Sequence, residues 1–200
     1  MKRALAMSAL AALLLGGCAS TFEYGWTTLI GNGKGFYSFN RIGDANWRSE
    51  DGAIVADRGK GGFLVTRKSF RNFELQAEFW ADHTTNSGLF LRAQDPNKVG
   101  ADNAYEVNIF DQRPGQEYST GAIVGFAQVG NPPPKAGGQW NTFEIYANGP
   151  ELVVKLNGVV TVAMNNSRFK EGPIGLQFGN GAKGKPGGAI KWRKMLIRPI

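Results

Sequence analysis

Apolar and polar residues alternate along many short runs of this chain with the two-residue period of half-buried β-strands. The run 72–80, NFELQAEFW, is the clearest, because its apolar residues occupy every second position. Turn-forming Gly, Asn and Pro residues separate the runs. The strand-forming runs lie at 52–57, 61–68, 72–80, 86–93, 104–111, 120–126, 140–149, 151–160, 173–180 and 189–200.

The rest of the pattern favours one all-β domain. The dipeptide Asn157-Gly158 separates two apolar runs and predicts a tight β-hairpin. After the N-terminal segment, no run of ten or more residues keeps the 3.6-residue period of an amphipathic helix. The 200 residues are 42% hydrophobic and include 28 glycines, which suits a single core with many turns. We therefore expect a jelly-roll sandwich of two antiparallel sheets over residues 26–200.

The first segment follows another pattern, a basic start, an apolar run and then small residues. This is typical of a secretory signal peptide, predicted for residues 1–17. It ends in LGGC, which resembles the bacterial lipobox, whose cysteine becomes a lipidated N-terminus. Cys18 is the only cysteine, so it has no partner for an internal disulfide. We expect lipidation of Cys18 and a tether over 18–25, with an ordinary cleaved signal as the alternative.

A lipid at Cys18 would attach the protein to a membrane of the cell envelope. Ala19 follows the cysteine, and the absence of Asp there favours the outer membrane in a Gram-negative host. The formal net charge of +7 falls to +5 without Lys2 and Arg3 of the signal. An exported lipoprotein rarely meets nucleic acid, so we expect no such partner. The excess charge favours solubility or contact with anionic envelope surfaces.

The run YEVNIFD places a carboxylate and an amide side by side on one face of a strand. Its other residues would face the core, so Glu106 and Asn108 would share the outer face. The same alternation places Asn86 and Arg92 on the outer face of one strand and Gln177 on that of another. An adjacent Arg holds a carboxylate ionised, and amides suit sugar hydroxyl groups. The pattern predicts a site, with a solvated face and an ion pair as the alternative.

Further residues extend this candidate site. Trp47 and Trp80 could cover the apolar faces of sugar rings. Asp111 ends the YEVNIFD strand and would reach the outer face through a bulge, or else it begins the next loop. His83, the only histidine, lies in a predicted turn, where it is either a proton-transfer group or simply exposed. Oxygen ligands are plentiful, but no cluster has zinc-ligand spacing, so no metal or other cofactor is predicted.

Eight segments occur in a specific order from about residue 25 to residue 200. They are WRSEDGAIVAD, GGFLVTRKSFRNFELQAEFW, NSGLFLRA, YEVNIFD, TGAI, WNTFEIYANGPELVVKLNGV, GPIGLQFGN and KWRKMLIRPI. In this order they resemble the 3-keto-disaccharide hydrolase domain family. The resemblance implies a concanavalin A-like jelly-roll fold, in agreement with the strand pattern, and chemistry on glycosides oxidised at C3.

A ketone at C3 of a sugar acidifies the hydrogen at C2. Loss of that proton lets the group at C1 depart, and water then adds to the product. Such a site needs a base, a group that stabilises the enolate and an acid for the leaving oxygen. From the residue pattern, we expect Glu106 to be the base, Arg92 to orient it or stabilise the oxyanion, and Asp111 or His83 to supply the second proton function. The expected substrate-binding residues are Asn86, Asn108, Gln177, Trp47 and Trp80.

The chain departs from the common pattern of the family at Asn108, where Gln is frequent, and at Arg71-Asn72, where Gly-Asp is frequent. These changes favour an altered substrate or a member that binds without turnover. A lipid-anchored carbohydrate-binding module and a structural envelope lipoprotein are therefore alternatives. The run Glu106-x-Asn108-x-x-Asp111 also resembles the E-x-D-x-x-E run of jelly-roll β-glucanases. Two of its three positions differ, however, and a retaining glycosidase needs two close carboxylates.

Overall fold

The computed structural model describes residues 25–200. The predicted signal peptide at 1–17, Cys18 and the tether up to residue 24 lie outside the described residues. Within residues 25–200 the chain forms thirteen strands and three single-turn 3-10 helices, and no helix there is long and apolar enough to cross a bilayer. The strands are β1 (Thr27–Gly31), β2 (Phe39–Gly43), β3 (Arg48–Glu50), β4 (Ala53–Ala56), β5 (Gly62–Thr66), β6 (Phe73–Ala81), β7 (Ser87–Leu91), β8 (Tyr105–Ile109), β9 (Trp140–Asn148), β10 (Glu151–Leu156), β11 (Val159–Asn165), β12 (Gly175–Phe178) and β13 (Ile190–Pro199).

The strands form two antiparallel sheets. The larger has the order β11-β10-β9-β6-β13-β4-β3, with β1 as an eighth strand paired to β13. The smaller has the order β2-β5-β12-β7-β8. Apolar side chains of both sheets are buried in one core, in which Phe79 of β6 stacks on Phe143 of β9 with ring centroids 4.9 Å apart. The predicted all-β sandwich of two antiparallel sheets is confirmed.

The alternation of the sequence sets the local structure of the long strands. Along β6 buried and half-buried residues alternate without a break, as the period of two predicts. The hairpin predicted at Asn157-Gly158 joins β10 to β11, and both residues have positive φ, 52° and 82°. That backbone matches the twist of the flanking strands, which explains the Asn-Gly pair.

Two parts of the strand prediction are wrong. Strands β1, β2 and β3 lie in a region for which the pattern predicted no strand, because their short runs mix exposed polar residues with few apolar ones. The run 120–126 is not a strand but a turn with isolated bridges. It lies along the outer edge of β8, where the amide of Asn108 donates to the carbonyl of Ala122 at 3.0 Å and that of Val124 to Glu106 at 3.0 Å. The edge strand of the smaller sheet is therefore covered.

Candidate functional site

Neighbouring strands of the smaller sheet place several polar residues on its outer face. In the β7–β8 ladder Glu106 lies opposite Phe90, and Asn108 lies opposite Gly88. Strand β12 flanks β7 on its other side, where Gly175 lies opposite Phe90 and Gln177 occupies the next outward position. As the alternation predicted, Glu106, Asn108 and Gln177 thus share one face, on strands β8 and β12 to either side of β7.

The carboxyl group of Glu106 is unusually placed for a charged group. The residue is 7% exposed, and within residues 25–200 its side chain makes no hydrogen bond. Burial removes water from the carboxylate and raises the pKa of Glu106 to about 7, while the positive charge of Arg113 offsets part of this rise. At neutral pH this group is therefore poised to take up or release a proton.

Two amides on the same face keep unused acceptor atoms. The Nδ2 of Asn108 donates to the carbonyl of Tyr118 at 2.7 Å, which orients the side chain. Its Oδ1 is buried and lacks a partner among the described residues, as does Oε1 of Gln177. Buried acceptors without donors are costly in a folded protein. A buried water or a hydroxyl group of a ligand would supply the missing donors.

Glycines allow close packing beside these groups. A Cβ at Gly88 would lie 3.5 Å from Cγ of Glu106 and 2.9 Å from the carbonyl oxygen of Val107, so a side chain there would crowd both the carboxyl group and the backbone. At Gly175 a Cβ would contact Phe63 and Phe90, whose rings meet edge to face at 5.2 Å. These two rings form an apolar wall on one side of Glu106. The wall lowers the local polarity and contributes to the burial of the carboxyl group.

The prediction that Arg92 supports Glu106 is wrong. Strand β7 ends at Leu91, and Arg92 has a φ of 54°, so the alternation of the strand does not continue into it. Its fully buried guanidinium donates to the carbonyls of Arg71 (2.9 Å from Nε), Gly149 (2.8 Å from Nη1) and Phe169 (3.1 Å from Nη1). Burial lowers the pKa of Arg92. This residue joins three loops of the sandwich.

Asp111 and His83 also lie apart from Glu106. Asp111 follows the end of β8. The last strand residue, Ile109, is already about 10 Å along the strand from Glu106 at 3.3 Å per residue, and Asp111 lies two residues beyond it. Its carboxylate accepts from the hydroxyl of Thr120 at 2.6 Å and from the amide of Gly137 at 2.8 Å. Gly137 in turn bridges to the end of β6 in the larger sheet. Of the two alternatives for Asp111, the start of a loop is the one found, since its carboxylate anchors that loop and the β7–β8 ladder has no bulge.

The imidazole of His83 is exposed and packs against the same loop. A Cβ at Gly137 would lie 2.6 Å from its Nδ1, and one at Gly138 would lie 2.8 Å from its Nε2. The histidine and Asp111 thus flank one glycine at the end of the sandwich. The structure does not place either as a second proton donor beside Glu106.

The two predicted tryptophans lie elsewhere. Trp47 is 3% exposed and belongs to the core, so it cannot stack on a sugar. Trp80 lies on β6 in the larger sheet, on the opposite side of the sandwich from Glu106, with Nζ of Lys191 5.1 Å from its ring. Asn86 does share the outer face of β7, but its Nδ2 donates to the carbonyl of Asn180 at 2.7 Å and holds the loop after β12.

The sequence prediction missed Arg113. This residue lies in the loop that follows β8, where the amide of Arg113 donates to the carbonyl of Phe110 at 3.3 Å. Its half-buried side chain is the cation that acts on Glu106. Arg113 follows the end of the strand, where alternation no longer applies, so the sequence pattern carries no signal for it. No three His, Cys, Asp or Glu side chains converge as metal ligands anywhere in residues 25–200.

Solved structures show that the fold is shared with sugar-related proteins. A protein from Parabacteroides distasonis that carries a glycosyl hydrolase assignment is 18% identical, with a TM-score of 0.74 over 88% of this chain and 94% of its own. A second such protein from that organism is 24% identical, with a TM-score of 0.68 over 88% and 99%. The carbohydrate-binding module CBM66 from Bacillus subtilis is 14% identical, with a TM-score of 0.58 over 87% and 95%. At these identities the similarity establishes the concanavalin A-like fold alone.

No curated protein sequence matches the chain significantly. A family model does match it, over residues 25–198, which is almost the whole described structure. That model describes the 3-keto-alpha-glucoside-1,2-lyase-like domain, as the order of the sequence segments predicted. Glu106, Asn108 and Gln177 all lie inside the matched region. The chain therefore belongs to the family of 3-keto-alpha-glucoside-1,2-lyase-like domains.

Proposed function

We propose that this protein cleaves glycosides oxidised at C3, with Glu106 as the base that removes the proton at C2. The observation that carries the proposal is the buried, unpartnered carboxyl group of Glu106, whose pKa is raised to about 7. Such a group is a stronger base than an ordinary carboxylate and is still partly ionised at neutral pH. Family membership supports the class of reaction, and the outward-facing acceptors support a ligand with hydroxyl groups.

The first step breaks the C2–H bond of the sugar. The carboxylate of Glu106 takes the proton, and the electron pair moves into the C3 carbonyl to give an enolate. The guanidinium of Arg113 is the cation near Glu106 and would stabilise the negative charge on the enolate oxygen. Arg113 thus takes the role that the sequence pattern assigned to Arg92.

In the second step the enolate reforms the C3 ketone, and the C1–O bond breaks. The products are a double bond between C1 and C2 and the released group, whose oxygen receives the proton held by Glu106. Water then adds across the double bond, with its oxygen at C1 and a hydrogen at C2. The sum of these steps is hydrolysis of the glycosidic bond, and Glu106 ends ionised as it began.

The amides would position the sugar during these steps. Oδ1 of Asn108 and Oε1 of Gln177, which lack partners among the described residues, would accept hydrogen bonds from hydroxyl groups on either side of β7. The half-buried ring of Phe63, which packs edge to face on the buried ring of Phe90, would contact the apolar side of the sugar. This arrangement binds substrate and intermediate alike, so its loss should raise KM more than it lowers kcat.

A matched pair of substrates tests the proposal. The purified protein is incubated with 4-nitrophenyl glucosides of both anomers and with the same compounds oxidised at C3, and release of nitrophenol is followed above the spontaneous rate. We expect release only from an oxidised glucoside, together with the absorbance of the conjugated ketone before hydration. Release from the unoxidised glucosides alone would show that the protein is an ordinary glycoside hydrolase and not an enzyme for 3-keto glycosides. If no oxidised glycoside of a wider panel releases its leaving group, the proposed enzymatic activity is refuted.

We further propose that a lipid on Cys18 holds the domain at a membrane surface of the cell envelope. The lipobox-like LGGC run and the uniqueness of the cysteine support this location. A substrate would then reach the protein from outside the cytoplasm.

A further inference from the structure

The outer face of the larger sheet carries a groove of about 240 Å³, on the side of the sandwich away from Glu106. Side chains of adjacent strands form a row across it. Tyr146 of β9 lies opposite Glu74 of β6, and Glu74 lies opposite Arg198 of β13. Trp26, which immediately precedes β1, closes the row next to Arg198.

The aromatic residue at one end of this row is held in place. Nε of Arg198 donates to the carboxylate of Glu74 at 2.8 Å, and a second guanidinium nitrogen of Arg198 bonds to the same oxygen. Cζ of Arg198 lies 4.9 Å from the ring centroid of Trp26. The ion pair therefore fixes a cation against the Trp26 ring, while Tyr146 forms the opposite end of the groove.

Polar groups between the two rings are available to a ligand. Within the described part of the chain, the side chains of Gln76 and Glu144 make no hydrogen bond, although they lie opposite each other in the β6–β9 ladder. The hydroxyl of Tyr146 accepts from Nδ2 of Asn148 at 3.0 Å and keeps its own hydrogen. The groove thus offers an amide, a carboxylate and a phenol, which can pair with the donors and acceptors of hydroxyl groups.

The charges of the groove balance. Glu74 is paired with Arg198, and Glu144 lies opposite Lys155 in the β9–β10 ladder. A groove with two negative and two positive side chains has no net attraction for an ion. A neutral polar ligand fits this balance better than a phosphate, a nucleic acid or an acidic peptide.

The rings and the polar groups together favour a sugar as the ligand of the groove. Sugar rings have apolar faces that pack on aromatic side chains and hydroxyl groups at their edges. Tyr146 and Trp26 lie three strand positions apart, about 14 Å at the spacing of neighbouring strands, which exceeds one sugar ring. We propose that this groove is a second, non-catalytic carbohydrate-binding site, which takes a neutral oligosaccharide.

The same face offers a matched control. Trp80 and Trp140 lie opposite each other on β6 and β9, outside the groove. Each ring has a cation beside it, as Trp26 has, with Nζ of Lys191 5.1 Å from Trp80 and Cζ of Arg193 4.2 Å from Trp140, but neither ring lines the groove. Removal of Trp80 therefore changes an aromatic residue of the same sheet without touching the groove.

The test measures binding of cellohexaose, maltohexaose, laminarihexaose and xylohexaose by titration calorimetry. The protein carries Glu106→Gln, so that catalysis plays no part. We expect at least one hexasaccharide to bind, and Tyr146→Ala and Gln76→Ala each to weaken that binding about tenfold or more, while Trp80→Ala changes it less than about twofold. Thermal unfolding of each variant verifies folding. Should Tyr146→Ala not fold, Gln76→Ala decides, because it removes only an amide.

Two results would overturn the proposal. One is the absence of binding by all four hexasaccharides. The other is binding that Asn108→Ala removes and Gln76→Ala does not, since the ligand would then occupy the face of Glu106. Both results are independent of whether the protein cleaves a 3-keto glycoside.

Discussion

Glu106 lies directly opposite Phe90 in the β7–β8 ladder, beside an aromatic ring and not beside the cation of Arg92. The apolar neighbour and the burial of the carboxyl group raise its pKa. The sequence pattern suggested the reverse, a carboxylate held ionised by an arginine. For a base that must act near neutral pH, the observed arrangement is the more useful one.

The difference in stability between Glu106→Gln and wild type should depend on pH. The folded-state pKa of about 7 exceeds the ordinary 4.5, so protonation of Glu106 favours folding fully below pH 4.5, and this contribution is lost as pH rises through 7. The variant has no such loss. Relative to wild type it should therefore gain about 2 kcal/mol or more in free energy of unfolding between pH 5 and pH 8. Urea unfolding at both values measures this gain, and an equal difference at the two would show that Glu106 is not buried as described.

Activity should report the same ionisation. Because the ionised carboxylate is the base, kcat/KM should rise with pH along a limb whose midpoint lies near 7 and then level off. The measurement is the rate on a 3-keto glucoside from pH 4.5 to pH 9, corrected for the spontaneous reaction. A limb centred near 4.5 would mean that the base is a solvated carboxylate elsewhere.

Arg113 should affect the pH at which kcat/KM rises. Its charge holds the pKa of Glu106 lower than burial alone would, so Arg113→Met should move the limb to higher pH, by roughly half a unit to one unit. Arg113→Lys keeps the charge and serves as the control, with a smaller shift. If Arg113→Met lowers the rate equally at every pH, the residue acts on the enolate alone. An unchanged rate at every pH would remove Arg113 from the site.

Arg92 should matter for stability and not for the proton transfer. Arg92→Met leaves the carbonyls of Arg71, Gly149 and Phe169 without their donor, which should cost about 3 kcal/mol or more in free energy of unfolding. Urea unfolding measures that loss. In the protein that remains folded, kcat/KM should rise with pH at the same midpoint as in wild type. A shifted midpoint would restore a role for Arg92 at Glu106.

Cys18→Ser should release the protein from membranes. The substitution removes the thiol that would carry lipid, so the expressed chain should lose incorporation of labelled fatty acid and move to the soluble fraction. Membrane association that persists without label would point to an anchor other than the cysteine.

The sequence predicted the faces of strands well, because alternation is a local property. Glu106, Asn108 and Gln177 appear on the predicted face, and the Asn157-Gly158 hairpin forms where expected. The prediction for Arg92 failed because alternation holds only while the strand continues, and the left-handed backbone of Arg92, directly after Leu91, ends the strand.

Aromatic residues were harder to place than strand faces. Trp47 was expected on the surface, but it is buried in the core, and residue type alone does not reveal burial. Trp80 was assigned to an outer face correctly, but alternation does not say which of the two sheets a strand joins. Arg113 was missed because loop geometry, which returns it to Glu106, has no periodic signal. Contacts between elements distant in sequence thus set the part of the site that the pattern could not predict.

The role of Glu106 as the base is tested by the rate at which wild type and Glu106→Gln cleave the same 3-keto glucoside under saturating conditions at pH 8. We predict that the variant folds, binds the sugar and loses about a hundredfold or more in kcat, because it retains the shape of the side chain without the base. A variant that cleaves at the wild-type rate would contradict it and assign the removal of the C2 proton to another group.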